Sequence, residues 1–268
     1  MIESLLLTTA RLSTFLGTKM LTGASGFFFE RDERLFLVTS RHVLVDKPSR
    51  HFPDRIEIEI HSDAANLTRS TILSVLLYRA GKSVWCEGRD TAGEIDVATV
   101  EIERAALPAG VVMQCFTPAH LQHTLQDVEV GTPLLIVGFP LGFHDTMHHL
   151  PVVRQAVIAS SFGLRFQGQG YFLTDARLHR GTSGAPVVMR CIGDDSPLPW
   201  KLLGVHSARM DMGGRDQRVD ESLGLNCAWY ADILLTLTQN NARSEAPEAP
   251  ADCPTTMSSQ PSANSTSL

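Results

Sequence analysis

Short apolar runs separated by turn residues recur along most of the chain. Most runs are five to nine residues long, and Gly, Pro, Asp or Asn stands between them. The runs that we interpret as strands are 26–30, 35–39, 55–60, 71–78, 95–102, 133–138, 151–159, 171–176, 185–189, 201–205 and 223–227. Short runs at this spacing are typical of all-β sandwiches and barrels and not of βαβ units. The pattern therefore predicts an all-β protein.

Three stretches depart from that pattern or sharpen it. Residues 56–60 alternate strictly between Ile and Glu, which predicts a half-exposed strand. Trp229, Ile233 and Leu237 are spaced by four, which predicts a short C-terminal helix packed on the body. Residues 240–268 are rich in Ser, Pro, Ala, Thr and Asn and contain no aromatic residue. Such a composition buries too little apolar surface to offset ordering, so we predict a disordered tail.

The strand candidates form two groups of similar size. One group precedes the segment 117–126 and the other follows it, so this segment is the predicted connection. We predict an N-terminal β-barrel over 1–118 and a C-terminal β-barrel, with the helix, over 119–239. A cleft between the two barrels is the expected architecture.

Composition narrows the class of protein. The chain has 268 residues, of which 43% are hydrophobic and 19% are charged, and its net charge is −6 without a run of Lys or Arg. A nucleic-acid or anionic-membrane partner is therefore not expected. No apolar run reaches 18 residues, and the apolar start of the chain lacks the basic residues of a secretory signal. The five cysteines form no paired spacing and indicate free thiols. We expect a cytoplasmic protein.

A small serine flanked by glycines lies between two of the predicted strands, in the stretch 181–186. Gly181 and Gly184 allow the backbone around Ser183 to turn tightly and to direct its N–H groups at one point. Such N–H groups stabilise an oxyanion while a hydroxyl attacks. An ordinary Gly/Ser turn between strands is the alternative interpretation.

A histidine and an aspartate stand in comparable contexts. His42 follows the apolar run 35–39, where a structural histidine at a strand end is the alternative. Asp96 would share a strand face with Ala98 and Val100. A carboxylate on an apolar face requires a partner, and an imidazole N–H is a suitable one. The alternative is that Asp96 begins the strand and stays in solvent.

Taken in order, these segments resemble the motifs of chymotrypsin-fold (trypsin-like) serine proteases. L-V-T-S-R-H-V-L around His42 resembles the His motif, and E-I-D-V-A-T-V around Asp96 resembles the Asp motif. T-D-A-R-L-H-R-G-T-S-G-A-P around Ser183 resembles the Ser motif, most closely in the bacterial HtrA-type branch. P-L-L-I-V-G-F-P-L-G at 133–142 also resembles an HtrA-type segment. The resemblance implies two six-stranded antiparallel β-barrels with the active site between them.

The resemblance also implies roles for the matching residues. Ser183 would be the nucleophile and His42 its general base and acid, while Asp96 would hold the imidazole. The N–H groups of Gly181 and Ser183 would form the oxyanion hole. Ser207 matches a family serine that hydrogen-bonds the catalytic aspartate.

The chain departs from the family pattern in three ways. Thr182 stands where trypsin has the Asp that pairs with the new N-terminus after zymogen cleavage, so that switch is not implied; HtrA-type enzymes carry an uncharged Asn there. Ala185 replaces a glycine. No PDZ-like segment follows the predicted barrels, so we expect an HtrA-type protease without that domain.

Substrate preference depends on residues that line the primary pocket in this family. Here these are Arg177, Leu178, His206 and Ser207. The context Gly204-Val205-His206 resembles glutamyl endopeptidases, which implies a preference for Glu, or for Gln, before the scissile bond. In the alternative, His206 is a core residue and Leu178 sets an apolar preference.

The segment 144–149 carries three histidines, His144, His148 and His149. Zinc sites usually combine such residues with a distant ligand on an ordered element, so a solvated loop is the favoured interpretation and no metal is expected.

Three functions remain open: a serine endopeptidase, a catalytically silent binding or scaffold module of the same fold, and a zinc-binding β-protein. We expect no cofactor, a protein or peptide substrate, and a regulatory protein partner, because a cytoplasmic protease must not digest its neighbours.

Overall fold

The structure is a computed structural model, and it describes residues 3–124, 127–211 and 222–239. In the first half of the chain the elements are β1 (Thr9–Leu16), β2 (Lys19–Arg31), β3 (Arg34–Thr39), α1 (Arg41–Leu44), β4 (Arg55–His61), β5 (Ser70–Leu76), β6 (Tyr78–Arg79), β7 (Lys82–Ser83), β8 (Trp85–Asp90) and β9 (Gly93–Ile102). In the second half they are β10 (Pro133–Gly138), β11 (Val152–Ile158), β12 (Tyr171–Asp175), β13 (Pro186–Arg190), β14 (Trp200–Asp211), β15 (Ser222–Tyr230) and α2 (Ile233–Leu237). The predicted all-β class is confirmed. The predicted tail, 240–268, lies outside the described residues.

The C-terminal strands close into a six-stranded antiparallel barrel. Its strand order is β10-β11-β12-β15-β14-β13, and β13 returns to β10 through the pairs Leu135–Val188 and Ile136–Val187. This closed barrel is the predicted C-terminal architecture.

Seven of the nine N-terminal strands form one sheet in the order β5-β4-β1-β2-β3-β9-β8, and β6 and β7 form a separate two-stranded sheet. The strand count corrects the prediction of six, and a second closed barrel is not confirmed, since β5 and β8 end this order. The sequence pattern does not predict β1 or β8, because both mix polar and apolar residues. In β1 the buried positions include Thr9 and Thr14, so hydroxyl side chains occupy places where the pattern expects apolar ones.

Two expectations about single elements have different outcomes. In β4, Ile56, Ile58 and Ile60 are buried and the intervening glutamates are partly exposed, as the alternation predicts. The C-terminal helix exists but begins at Ile233, and Trp229 belongs to β15. Trp229 pairs with Tyr171 and Val205 on the two neighbouring strands and packs in the core. These strand pairings, and not the spacing of four residues, determine its secondary structure.

One apolar core is shared by the two sheets. Phe27, Phe29 and Val97 from the N-terminal sheet lie in the same buried cluster as Val137 and Val205 from the barrel. Two further clusters fill the N-terminal sheet and the interior of the barrel separately. The shared cluster therefore holds the end of β3 and the strand β9 against the barrel.

No helix in the described ranges is long and apolar enough to cross a membrane. Cys86, Cys115, Cys191 and Cys227 are free thiols, as the odd count and the lack of paired spacing predict.

Candidate active site

His42 and Asp96 meet through two hydrogen bonds. His42 lies in the single turn α1 directly after β3, and Asp96 lies in β9, which pairs with β3. The backbone N–H of His42 donates to Asp96 Oδ1 at 2.8 Å, and His42 Nδ1 lies 2.7 Å from Asp96 Oδ2. A carboxylate only accepts, so Nδ1 carries the proton and the lone pair of a neutral ring is on Nε2. The aspartate thus holds both the orientation and the tautomer of the imidazole.

Asp96 receives a third hydrogen bond from the barrel. Ser207, on β14, donates its hydroxyl to Oδ2 of Asp96. The side chain of Asp96 is only 23% exposed, and its face of β9 is otherwise apolar, with Ala98 and Val100 in the core. The two N–H groups of His42 and the hydroxyl of Ser207 supply the hydrogen bonds that water would give to an exposed carboxylate. The expectation that this carboxylate needs an imidazole partner is met.

The charge of Asp96 also sets the protonation of His42. Burial alone would lower the pKa of His42, but the hydrogen bond and the charge of Asp96 outweigh burial, so the pKa lies above its ordinary value of 6.5.

Ser183 lies in a tight turn between β12 and β13 that two glycines make possible. Gly181 has φ +93° and Gly184 has φ +84°, in the left-handed region that favours glycine. A Cβ on Gly184 would lie 2.3 Å from the carbonyl oxygen of Ser25, and one on Gly181 would lie 2.5 Å from that of Phe139. Neither position admits a larger residue. The hydroxyl of Ser183 donates to the carbonyl of Ser207 at 3.1 Å.

Ser25, on β2, joins the N-terminal sheet to this turn. Its N–H donates to the carbonyl of Ser183 at 3.0 Å, and its hydroxyl donates to the carbonyl of Gly181 at 2.7 Å. The same hydroxyl accepts the N–H of Phe139 at 3.0 Å. Ser25 is completely buried. Sequence reasoning did not find this residue, and the only signal is that Ser25 and its small neighbours Gly23, Ala24 and Gly26 interrupt an otherwise apolar strand.

The peptide between Arg180 and Gly181 has a defined orientation. The N–H of Leu141 donates to the carbonyl of Arg180 at 2.5 Å. In a trans peptide the N–H points opposite to the C=O, so the N–H of Gly181 points away from Leu141. Thr182, completely covered, closes the turn through its hydroxyl, which donates to the carbonyl of His179 at 2.7 Å.

A groove of about 690 Å³ runs over these residues. His42, Gly181 and Ser183 line it together with residues of β2 and of the segment after α1. Residues of both sheets therefore contribute to one open surface, and the three residues singled out for catalysis lie along it or directly behind it.

His206 is buried beside His42 and Asp96. Only 2% of it is exposed, and its Nδ1 has no hydrogen-bond partner among the described residues. Burial lowers the pKa of His206 to about 3, with a further contribution from the charge of His42. Its backbone is fixed, because its carbonyl accepts the N–H of Gly184 at 2.8 Å and the hydroxyl of Ser40 at 3.0 Å. The ring is neutral throughout the physiological range.

The two residues of the Ser motif that were expected to line the primary pocket, Arg177 and Leu178, do not line the groove that contains His42 and Ser183. Leu178 is 4% exposed and packs in the barrel core with Phe172 and Leu203. Arg177 is exposed, and its carbonyl accepts two hydrogen bonds from the guanidinium of Arg154, at 2.6 and 3.1 Å. A role of either side chain in binding substrate stays a prediction.

Comparison with known proteins finds one matching family profile and solved structures of similar fold. The profile of the trypsin-like peptidase domain matches residues 24–193. Two of the similar solved structures are the HtrA-type protease AlgW with a tripeptide, at 19% identity and a TM-score of 0.55, and the serine endoprotease from Yersinia pestis, at 15% identity and 0.54. Each likeness covers 90% of this chain, and covers 62% and 65% of the respective structures. At these identities the likeness shows the fold, and the chain spans under two thirds of their length. A comparison with curated proteins gives no match.

Proposed function

We propose that this chain, which belongs to the trypsin-like peptidase domain family, hydrolyses peptide bonds with Ser183 as nucleophile, His42 as general base and acid, and Asp96 as the residue that orients the imidazole. Its family is one of serine endopeptidases. The observation that carries the assignment of residues is the pair of hydrogen bonds from His42 to Asp96, beside Ser183 in one groove. The domain limits 1–118 and 119–239 remain part of this proposal, with the cleft between the two sheets as the active site.

The proton path follows from the tautomer of His42. With the proton on Nδ1, Nε2 is the atom that accepts the hydroxyl proton of Ser183 as its Oγ attacks the carbonyl carbon of the substrate. Before that step the Ser183 hydroxyl turns from the carbonyl of Ser207 toward His42. The imidazolium then protonates the leaving amine, and water hydrolyses the acyl-enzyme by the same path in reverse.

The N–H groups of Gly181 and Ser183 are the proposed oxyanion hole. The hydrogen bond from Leu141 to the carbonyl of Arg180 supports this, because it turns the N–H of Gly181 away from the barrel segment 140–142. The positive φ of Gly181 allows this peptide orientation. Each such donor contributes about 3 kcal/mol to stabilisation of the transition state.

For the residue before the scissile bond we propose a preference for Gln or Glu. The support is the unpartnered Nδ1 of His206, a buried polar atom that gains a hydrogen bond when an amide or carboxyl group reaches it. With a pKa of about 3 the ring is neutral, so it recognises by hydrogen bonding and not by charge. A neutral imidazole accepts a hydrogen bond from an amide or donates one to a carbonyl or carboxylate oxygen, so either Gln or Glu satisfies this atom.

The proposal includes a cytoplasmic location for the enzyme. Free thiols at Cys86, Cys115, Cys191 and Cys227 support a reducing, cytoplasmic compartment. A protease in that compartment requires narrow specificity or a regulatory protein partner.

The second candidate function is a catalytically silent scaffold module. The hydrogen bond from Ser183 to Ser207 supports it only if the Ser183 hydroxyl never turns to His42.

A library of internally quenched peptides tests the function and the preference together. We expect cleavage by the wild-type chain, none by Ser183→Ala or His42→Ala, and enrichment of Gln and Glu before the cut. A His206→Val variant should keep cleavage and lose the enrichment. A profile without amide or acidic enrichment contradicts the preference, and equal cleavage by Ser183→Ala contradicts the function.

A further inference from the structure

A second cluster of ligand-type side chains lies outside the groove that contains Ser183, where β4 meets the segment between β10 and β11. Glu59 comes from β4, and His144 and His149 come from the segment between β10 and β11. One ligand atom from each residue lies within 4.8 Å of the ligand atoms of the other two. The sequence predicted a solvated histidine loop here because no distant ligand was evident, and β4 supplies one.

Glu59 is held as an ionised carboxylate with one oxygen directed at the histidines. Its Oε2 accepts the Nε–H of Arg11 at 2.8 Å, and its Oε1 accepts the hydroxyl of Ser70 at 3.1 Å. Only 10% of its side chain is exposed.

His144 presents a lone pair on one defined nitrogen. Its Nδ1 lies 2.6 Å from the carbonyl of Gly142. A carbonyl only accepts, so Nδ1 carries the proton and Nε2 is free to bind. A histidine whose other nitrogen donates to a backbone carbonyl is the usual arrangement of a metal ligand. The ring also packs edge-on against Phe139, with centroids 5.8 Å apart, which limits its rotation.

His149 already lies beside the carboxylate. Its Nδ1 is 2.9 Å from Glu59 Oε1. Two ligand atoms on one tetrahedral zinc ion are about 3.3 Å apart, so a metal ion can replace the proton between them with a shift of a few tenths of an ångström. The residue has φ +54°, and the pairing of Asp145 with Leu150 closes the turn that contains it.

The segment that carries both histidines is docked on the N-terminal sheet. His61, the last residue of β4, is 8% exposed, and its Nε2 donates to the carbonyl of His148 at 2.7 Å. This contact and the His149–Glu59 pair fix the two histidines relative to Glu59. The cluster is therefore built from ordered elements, which the isolated histidine run did not indicate.

We propose that Glu59, His144 and His149 form a binding site for a zinc-type divalent metal ion. Two imidazoles and one carboxylate are a donor set that zinc takes, with water in the fourth position. Arg11 shares the carboxylate and opposes the incoming charge, so the affinity is expected to be lower than that of an all-cysteine structural site. The metal would tie β4 to the segment that follows Leu141.

Isothermal titration of zinc into the full chain tests the site. The Ser183→Ala background removes self-digestion and makes the result independent of the proposed catalysis. We expect one zinc per chain, weakened at least about tenfold by His144→Ala and by His149→Asn. Asn is chosen at position 149 because it tolerates the left-handed backbone there. His148→Ala is the matched control, since His148 pairs with Asp145 in the same turn and lies outside the cluster.

Cobalt substitution separates this site from the free thiols. Cobalt bound at the cluster gives a ligand-field spectrum without thiolate charge-transfer bands, and His144→Ala abolishes it. The metal should also raise the unfolding temperature of the Ser183→Ala chain and not that of the double variant with His144→Ala. Absence of binding, equal binding by His144→Ala, equal loss in His148→Ala, or a thiolate band would each overturn the proposal.

Discussion

The two halves of the proposed active site are held by different means. On the N-terminal sheet, His42 is held by one side chain, because Asp96 accepts both its backbone N–H and its ring N–H. On the barrel, Ser183 is held by its backbone, through glycines with positive φ at positions 181 and 184. Side-chain charge therefore sets the acid–base half, and chain conformation sets the nucleophile half. Substitutions should separate the two: changes in the first half affect rate and titration, and changes in the second affect folding as well.

The largest expected effect is on rate, in the acid–base half. Asp96→Asn keeps the size of the side chain but removes the acceptor that holds His42 in its productive tautomer, so we expect kcat to fall by about 10⁴. The unfolding temperature should change little. Steady-state kinetics on a cleaved peptide, with thermal unfolding alongside, measures both.

Asp175→Asn is the matched control, since Asp175 is an exposed strand residue. It should retain wild-type kinetics. A fall of less than tenfold in Asp96→Asn would mean that His42 is oriented by something other than Asp96.

The next effect is on stability, in the nucleophile half. A Cβ at position 184 would lie 2.3 Å from both the carbonyl oxygen of Ser25 and the hydroxyl oxygen of Thr39, at a left-handed φ. We expect Gly184→Ala to lower the free energy of unfolding by about 3 kcal/mol. Chemical denaturation measures this.

Gly163→Ala provides the comparison, because a Cβ there meets nothing within 4 Å and its φ is ordinary. It should be close to neutral. If the two alanine variants were equally stable, the turn would tolerate a side chain and the backbone account of Ser183 would be wrong.

A smaller effect is expected at the junction of the two halves. Ser25→Ala removes the hydroxyl that bonds the carbonyl of Gly181 and the N–H of Phe139, which leaves a buried N–H and a partly buried carbonyl unpaired. We expect a loss of about 2 kcal/mol in stability together with a lower kcat, since Gly181 is a proposed oxyanion donor. The exposed Ser74→Ala is the control. Unchanged kcat in Ser25→Ala would place the serine outside the catalytic arrangement.

The smallest effect is a titration. Because Asp96 raises the pKa of His42, the ring should gain its proton at a pH above 6.5, and the acid limb of kcat/KM should lie there also. In Asp96→Asn burial is opposed only by the charge of Asp46, so the midpoint of the His42 titration should move down relative to the wild-type chain. Histidine NMR titration of both chains shows the difference. Identical midpoints would contradict the electrostatic account.

The sequence predicted site residues whose context is local, and it did not predict residues whose partners are distant along the chain. His42 and Ser183 each lie in a turn after a strand and Asp96 lies on an apolar strand face, so each could be recognised from its own segment of the sequence. Ser25 was not, because its partner Gly181 is 156 residues away. Glu59 was missed for the same reason, since its histidine partners follow another sheet's strand. Sequence patterns show which residues a strand buries, and they do not show which strand ends meet.

The predicted element boundaries were wrong where hydrogen bonds between strands, and not the spacing of apolar residues, determine the structure. Trp229 fits a helical spacing but lies in β15, where strands on both sides pair with it. The six strands expected of the N-terminal barrel came from the family resemblance, whereas β1 and β8 were not recognised in the sequence because both carry many polar residues. The 2% exposure of His206 corresponds to the alternative in which it is a core residue, whereas its Nδ1, which has no hydrogen-bond partner among the described residues, could not be predicted from the sequence.

Labelling with a fluorophosphonate probe tests the central claim most directly, because the probe reacts with an activated serine and requires no known substrate. The wild-type chain should form one adduct, located on Ser183 by mass spectrometry of the peptide that contains it. Ser183→Ala and His42→Ala should form none, and heat-denatured wild-type chain should form none. No adduct on folded wild-type chain, or an adduct of equal yield in His42→Ala, would contradict the claim that His42 and Asp96 activate Ser183.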